Sequence, residues 1–143
     1  MRAVVFSAYG SPDVLRLDEI EQPEPTENDV LVRVHATTVT ATDCVFRKGE
    51  PRMSRLFMGL TRPKHAVLGS EFAGEIEAVG SAVTGFAPGD RVYGTTVGHG
   101  SYAEHLCLPP AKATIARLPQ GVDYAEALAC CDGFLTALPF LRD

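Results

Sequence analysis

A mainly β chain with short helices, an α+β fold of barrel or sandwich type, is what this sequence predicts, and three observations carry the prediction. Short runs rich in apolar and β-branched residues recur through the first two-thirds, each closed by Gly or Pro. Eight of the thirteen glycines lie between residues 69 and 100, as expected for brief strands joined by tight turns. After residue 118 the pattern becomes helical, and Asp123 and Glu126 stand at capping-box spacing ahead of Ala125, Ala127, Leu128 and Ala129. Many short strands with regular turns argue against a parallel sheet.

The elements follow in order. Ala3 to Phe6 reads as a strand, Tyr9-Gly10-Ser11-Pro12 as a turn, and Val14 to Glu19 as a second strand. Gln22-Pro23-Glu24-Pro25 is an extended connector, because neither proline donates to a ladder and each disfavours helix before it. Val30 to Ala36 alternates apolar 30, 32 and 34 with a more polar opposite set, the pattern of a half-buried strand. Thr42 to Arg47 reads as a helical turn closed by Gly49. The stretch from Glu50 to Pro63, with arginines 52, 55 and 62 after Arg47, reads as a mobile surface loop beside a site. Ala87-Pro88-Gly89-Asp90 is a turn before the strand Arg91-Val92-Tyr93, and Ser101 to Leu108 forms the next strand, stopped by Pro109-Pro110. Asp132-Gly133 is expected to end the first C-terminal helix. A second apolar segment, Phe134 to Leu141, follows, with Pro139 weakening its interior.

Composition narrows the function classes. At 143 residues the chain is long enough for one domain with a real core, burying roughly two-thirds of its unfolded surface. Charged residues make up 22% and hydrophobic residues 45%, too apolar for disorder. A net charge of −5 without any basic, aromatic-interleaved cluster argues against nucleic acid and anionic membrane surfaces as partners. The apolar run Ala3 to Phe6 is too short for a signal-peptide core or a membrane span. Cysteines 44, 107, 130 and 131 show no disulfide spacing, which favours reduced thiols in a cytoplasmic protein.

The segment from Leu68 to Gly80 holds the chemistry. Glycines at 69, 74 and 80 bracket apolar Phe72, Ile76 and Val79, so the chain turns tightly at each glycine and runs extended between them. Polar Ser70 and Glu71 stand at the first turn, where they bind a metal, a substrate or their own backbone.

Read together, several motifs resemble the N-terminal GroES-like catalytic domain of the medium-chain dehydrogenase/reductase superfamily, in its zinc-free, quinone-oxidoreductase-like branch. They are Met1-Arg2-Ala3-Val4 with Tyr9-Gly10, Asp29 to Val34, Thr42-Asp43, Gly69-Ser70-Glu71-Phe72-Ala73-Gly74 with Val79-Gly80, Pro88 to Val92, Gly100 to Glu104, Leu118-Pro119 and Leu135-Thr136-Ala137. The resemblance implies a partly open GroES-like β-barrel over residues 1–122. It further implies that 123–143 begin a helical connection to a Rossmann domain outside this chain. No Gly-rich fingerprint follows a strand and opens a helix here, so the chain reads as truncated before its cofactor domain and inactive alone. The implied activity is NAD(P)H-dependent hydride transfer to a small carbonyl, enone or quinone, with NADP(H) as cofactor and a homodimeric parent.

Zinc-dependent relatives place ligands at positions that correspond here to Thr40, Ser70 and Asp132. Two neutral hydroxyls and one acid do not form a catalytic zinc set, so no metal is expected. The resemblance assigns Thr40, Ser70, Glu71 and Asp132 to the catalytic cleft, and Thr40 and Thr136 to the nicotinamide. Each has a structural alternative: Thr40 caps the helical turn, Ser70 caps its own turn, and Glu71 braces the cleft through backbone or Arg contacts. Asp43 is expected to bond the helix start, His35 and His105 to be surface or satisfied edge residues of strands, and His65 to be a further cleft candidate. Two other readings stay open, a zinc-type alcohol dehydrogenase relative with altered ligands and a non-catalytic β-barrel scaffold.

Overall fold

Alternation and turn chemistry become two antiparallel sheets in the computed structural model, which describes residues 1–64, 66–96 and 98–142. His65, one of the expected cleft candidates, lies outside the described residues. Strands β1 (Arg2–Phe6) and β2 (Leu15–Glu19) form a two-stranded ribbon. A five-stranded sheet contains β3 (Val30–Ala36), β4 (Glu71–Val79), β5 (Arg91–Thr95), β6 (His105–Leu108) and β7 (Thr114–Arg117), in the order β6-β3-β4-β5-β7. The helices are α1 (Ala41–Lys48), α2 (Arg55–Met58), α3 (Tyr124–Leu128) and α4 (Asp132–Leu141). The mainly β, open-sheet architecture is as predicted. Among the described residues no helix is long and apolar enough to cross a membrane.

Period-2 burial builds the core. Val30 and Val32 from β3, Phe72 and Ile76 from β4, Val92 from β5 and Leu106 and Leu108 from β6 meet on one face of the sheet. On the opposite face Ala73 packs against Leu128 and Cys131, so α3 buries the first half of β4 on both sides. The capping box predicted for α3 is present: the Asp123 carboxylate accepts from the Ala125 N–H, and Glu126 accepts from the Asp123 N–H. A bulge at His35, between the pairs Val34–Gly74 and Ala36–Ala73, turns that ring onto Tyr124 of α3, stacked at 4.5 Å. His105 Nε2 lies 3.1 Å from a Glu77 carboxylate oxygen, while its buried Nδ1 has no hydrogen-bond partner among the described residues.

Four expectations need correction. Residues 101–108 are not one strand, because they change partners midway. Tyr102 and Glu104 bond to β1, through Val4 N–H to the Tyr102 carbonyl and Glu104 N–H to the Arg2 carbonyl, and from the Glu104 carbonyl, which accepts from the Val34 N–H, through His105–Leu108 the chain joins β3. That switch ties the ribbon to the larger sheet and partly closes the barrel. Residues 50–63 are not an irregular loop, since a 3-10 turn (Arg52–Ser54) and α2 occur there. Arg55 anchors this segment, bonding the Gly49 and Lys48 carbonyls and lying 4.6 Å over the Tyr9 ring. Asp132-Gly133 opens α4 rather than closing α3, an acidic first position that suits a helix N-terminus. Finally, α4 runs through Pro139 to Leu141, because the carbonyl that Pro139 strips of its donor stands on an exposed helix, open to water.

One ion pair gives a pH signature. The Arg117 guanidinium, 2.9 Å from Asp90, and the Ala87 N–H hold the Asp90 carboxyl below the usual carboxylate range. A lowered folded-state pKa means stability that is present above the unfolded-state pKa and lost as pH falls through the folded value. Urea denaturation of Asp90→Asn should show a deficit of about 1 kcal/mol at neutral pH that vanishes in acid. A deficit independent of pH would show that the carboxylate charge contributes nothing.

Candidate functional site

Gly69, with φ +91, makes a turn that no ordinary residue adopts comfortably. The turn is held on both sides. The Gly100 and Tyr102 N–H groups donate to the Leu68 carbonyl, Ser101 N–H to the Gly69 carbonyl, and Thr96 N–H to the Ser70 carbonyl at 2.7 Å. The Thr37 hydroxyl donates to the Glu71 carbonyl at 2.7 Å, so the buried Ser101 hydroxyl, 2.9 Å away, must be the donor to Thr37. With its backbone fixed, Ser70 keeps a half-buried hydroxyl that forms no hydrogen bond to any described residue. Glu71 is 4% exposed, and the Thr38 hydroxyl donates to its Oε2.

The N-terminus of α1 closes one side of this turn. Thr40 is the N-cap: its hydroxyl accepts from the Asp43 N–H at 3.2 Å and donates to Asp43 Oδ2 at 2.8 Å, while Oδ2 accepts from the Thr40 N–H at 2.9 Å. The capping role thus occupies the Thr40 hydroxyl as donor, and Asp43 bonds the helix start as expected. Asp43 is 2% exposed and its Oδ1 has no hydrogen-bond partner; the Tyr102 hydroxyl is buried and likewise unpaired. Burial first, and then the nearby Asp43 carboxylate, push the Tyr102 phenol far above its ordinary range, with smaller contributions from Cys44 and Glu71. Tyr102 therefore keeps its phenol proton throughout the physiological range.

The remaining predicted residues lie on α4. Glu71 and Ala73 share one face of β4, and Cys131 packs on Ala73 with its thiol 3.8 Å from the Gly94 carbonyl. The backbone of Asp132 therefore enters from the Glu71 side, although the Asp132 side chain is outside the described atoms. Thr136, one helical turn on, is exposed. The structure thus clusters Ser70 and Glu71 with Thr40, through Asp43 and Tyr102, and sets Thr136 apart on its own helix. Thr38, Ser101 and Tyr102 are parts of the cluster that the sequence reading missed. The Gly100-Ser101-Tyr102 run was visible as strand, but nothing local announced its contact with residues 37–43.

The donor set is poor for a metal. Among the described residues no group of three or more His, Cys, Asp or Glu comes together as a site requires. The four cysteines are free thiols, and burial together with the Asp29 charge pushes Cys107 up to about 11, leaving it protonated and inert at neutral pH.

Comparison with known proteins places this geometry. The family model described as the alcohol dehydrogenase GroES-like domain matches residues 26–120, more than half of the chain. A quinone oxidoreductase of Pseudomonas aeruginosa is 38% identical over 141 residues, covering 99% of this chain and 40% of that protein. The structure of the quinone oxidoreductase from Coxiella burnetii superposes with a TM-score of 0.85 at 32% identity, over 99% of this chain and 44% of that one. The Escherichia coli quinone oxidoreductase complexed with NADPH gives a TM-score of 0.84 at 29% identity, over 100% of this chain and 41% of that one. The chain thus spans about 40% of the length of the relatives it matches. With the motif order, the sheet topology and the family match in agreement, the chain belongs to the alcohol dehydrogenase GroES-like domain family of the medium-chain dehydrogenase/reductase superfamily, alongside the quinone oxidoreductases.

Proposed function

We propose that this chain is the substrate-side domain of an NADPH-dependent oxidoreductase that reduces a quinone, enone or related carbonyl without zinc. The observation that carries the reading is the Ser70 hydroxyl, half-buried and unpaired at the Gly69 turn, at the position where zinc-dependent relatives would need a metal ligand. A neutral hydroxyl is a weak zinc ligand and a good hydrogen-bond donor to a carbonyl oxygen. The donor set around it favours the zinc-free reading over a zinc-type dehydrogenase with altered ligands.

When bound, NADPH supplies the hydride, two electrons with one hydrogen nucleus, and leaves as NADP⁺, while water supplies the proton that completes the product. The protein residues orient the acceptor and stabilise its charge. Ser70 donates to the substrate oxygen as negative charge develops there. Glu71, held by Thr38 and Thr37, fixes the turn that presents Ser70. Thr40, as the N-cap, fixes the α1 end of the cleft and would help hold the nicotinamide. Thr136 would help hold the nicotinamide, and Asp132 would line the same cleft. Residues 1–122 form the catalytic unit and 123–143 begin the connection to the nucleotide-binding part. The free thiols suit a reducing, cytoplasmic setting.

The test joins turnover to binding. The 143-residue chain alone should show no NADPH oxidation with a simple quinone, yet titration with that quinone should shift the backbone NMR signals of Gly69, Ser70 and Glu71. In the product of the whole gene, Ser70→Ala should lower kcat/KM on the order of tenfold, with no stoichiometric zinc. Stoichiometric zinc would restore the zinc-type reading. An unshifted Ser70 signal, together with an inactive whole-gene product, would leave a β-barrel scaffold as the better account.

A further inference from the structure

Strand β2 leaves one edge of the molecule bare. β1 is bonded on both sides, to β2 and, through Val4, Phe6 and Arg2, to residues 102, 66 and 104. Among the described residues β2 pairs with β1 alone. Met1 and Ile20 exchange both backbone hydrogen bonds, at 2.8 and 2.9 Å. Alternate pairs of an antiparallel ladder repeat this, so Asp18 and Arg16 bond inward to β1 while Leu15, Leu17 and Glu19 direct their backbone groups outward. The Leu15 N–H is used by the Pro12 carbonyl and the Glu19 N–H by the Asp18 carboxylate. Leu17 is left presenting an outward N–H and carbonyl, with its side chain 70% exposed.

Two charged side chains on this strand lack ion-pair partners among the described residues, the Asp18 carboxylate accepting only a backbone N–H. Arg16 and Asp18 stand opposite Val5 and Ala3 and make no ion pair with any described residue. We propose that β2 pairs with β2 of a second copy of this chain, antiparallel about a two-fold axis at Leu17. In that register the two Leu17 residues exchange backbone hydrogen bonds, and Arg16 of each copy lies directly opposite Asp18 of the other, twice. Only outward residues can pair with outward residues, so competing registers shift by two. A shift one way sets Arg16 against Arg16, and the other way Asp18 against Asp18. Charge on an edge strand usually prevents pairing; here it blocks the wrong registers and permits one.

Apolar surface extends the contact. Leu15 and Leu17 line a groove of about 500 Å³ with Val4, Val34, Ala36 and Val39, and Val39 is 77% exposed. The second Leu17 enters on this same face and lengthens the groove's wall. One short strand per copy makes a small interface, so the dimer is weak and concentration-dependent. This inference is independent of the proposed activity.

Sedimentation velocity under reducing conditions, over a concentration series, tests it. The wild-type chain should shift toward the dimer value as concentration rises, and Arg16→Asp and Asp18→Arg should each remain monomeric. An equimolar mixture of the two variants should recover the dimer, because every cross-strand pair is again of opposite sign. The recovery also shows that both variants are folded. A wild type that stays monomeric, association that survives either single change (as contact through α4 would), or a mixture that fails to recover would each overturn the proposal.

Discussion

Gly69→Ala should cost about 3 kcal/mol or more of folding stability and abolish quinone-induced shifts at Ser70. Two effects add. At φ +91 an L-residue is strained, and the new methyl would run into the Ser101 hydroxyl and the Tyr102 ring. Neither neighbour can retreat: Ser101 is fully buried and bonded to Thr37, and Tyr102 is wedged against Asp43. Gly85→Ala is the matched control, since Gly85 has φ +86 but nothing within 4 Å of an added methyl. Only the conformational cost of about 1 kcal/mol applies there. Chemical denaturation of the two variants separates strain from collision. Equal losses would mean that the Gly69 turn is not packed as described.

Phe72→Ala should be as damaging through a different cause. Phe72 is wholly buried at the centre of the cluster formed by Val30, Val32, Ile76, Val92, Leu106 and Leu108. Deleting its ring removes apolar burial and leaves a cavity that three strands frame too rigidly to close, a loss of about 3–5 kcal/mol. Total stability for a domain of this size is about 5–15 kcal/mol, so the midpoint of thermal unfolding should fall by roughly 10 °C. Phe72→Leu, which keeps most of the volume, should recover over half of that. A loss below about 1 kcal/mol would mean the ring is not core.

Local patterns were legible, and it is clear why. The Thr40–Asp43 and Asp123–Glu126 caps join residues three apart, and both are read directly from the chain. The alternation in Val30 to Ala36 and the glycines around Phe72 likewise reveal strands, because a two-residue period is itself the geometry of a pleated surface. The helix in residues 50–63 was hidden, since its four residues carry no complete apolar period and are held through Arg55, which bonds the Gly49 carbonyl and lies over the Tyr9 ring. The split of residues 101–108 was equally hidden, because the run reads as one strand until two partners compete for it.

The sequence by itself determined the family, the mainly β class, the two helix caps and the polar Ser70 at the Gly69 turn. Only the tertiary structure decided which hydroxyl remains available. Thr40 and Ser70 look equivalent along the chain, yet the helix cap engages one and the clamped Gly69 turn leaves the other unpaired. The reason is physical: a cap is satisfied within four residues, whereas the clamp needs Thr37, Thr96 and Ser101 to arrive from three segments far apart in the chain. Their meeting is set by the packing of the whole barrel, and short-range pattern carries no record of it.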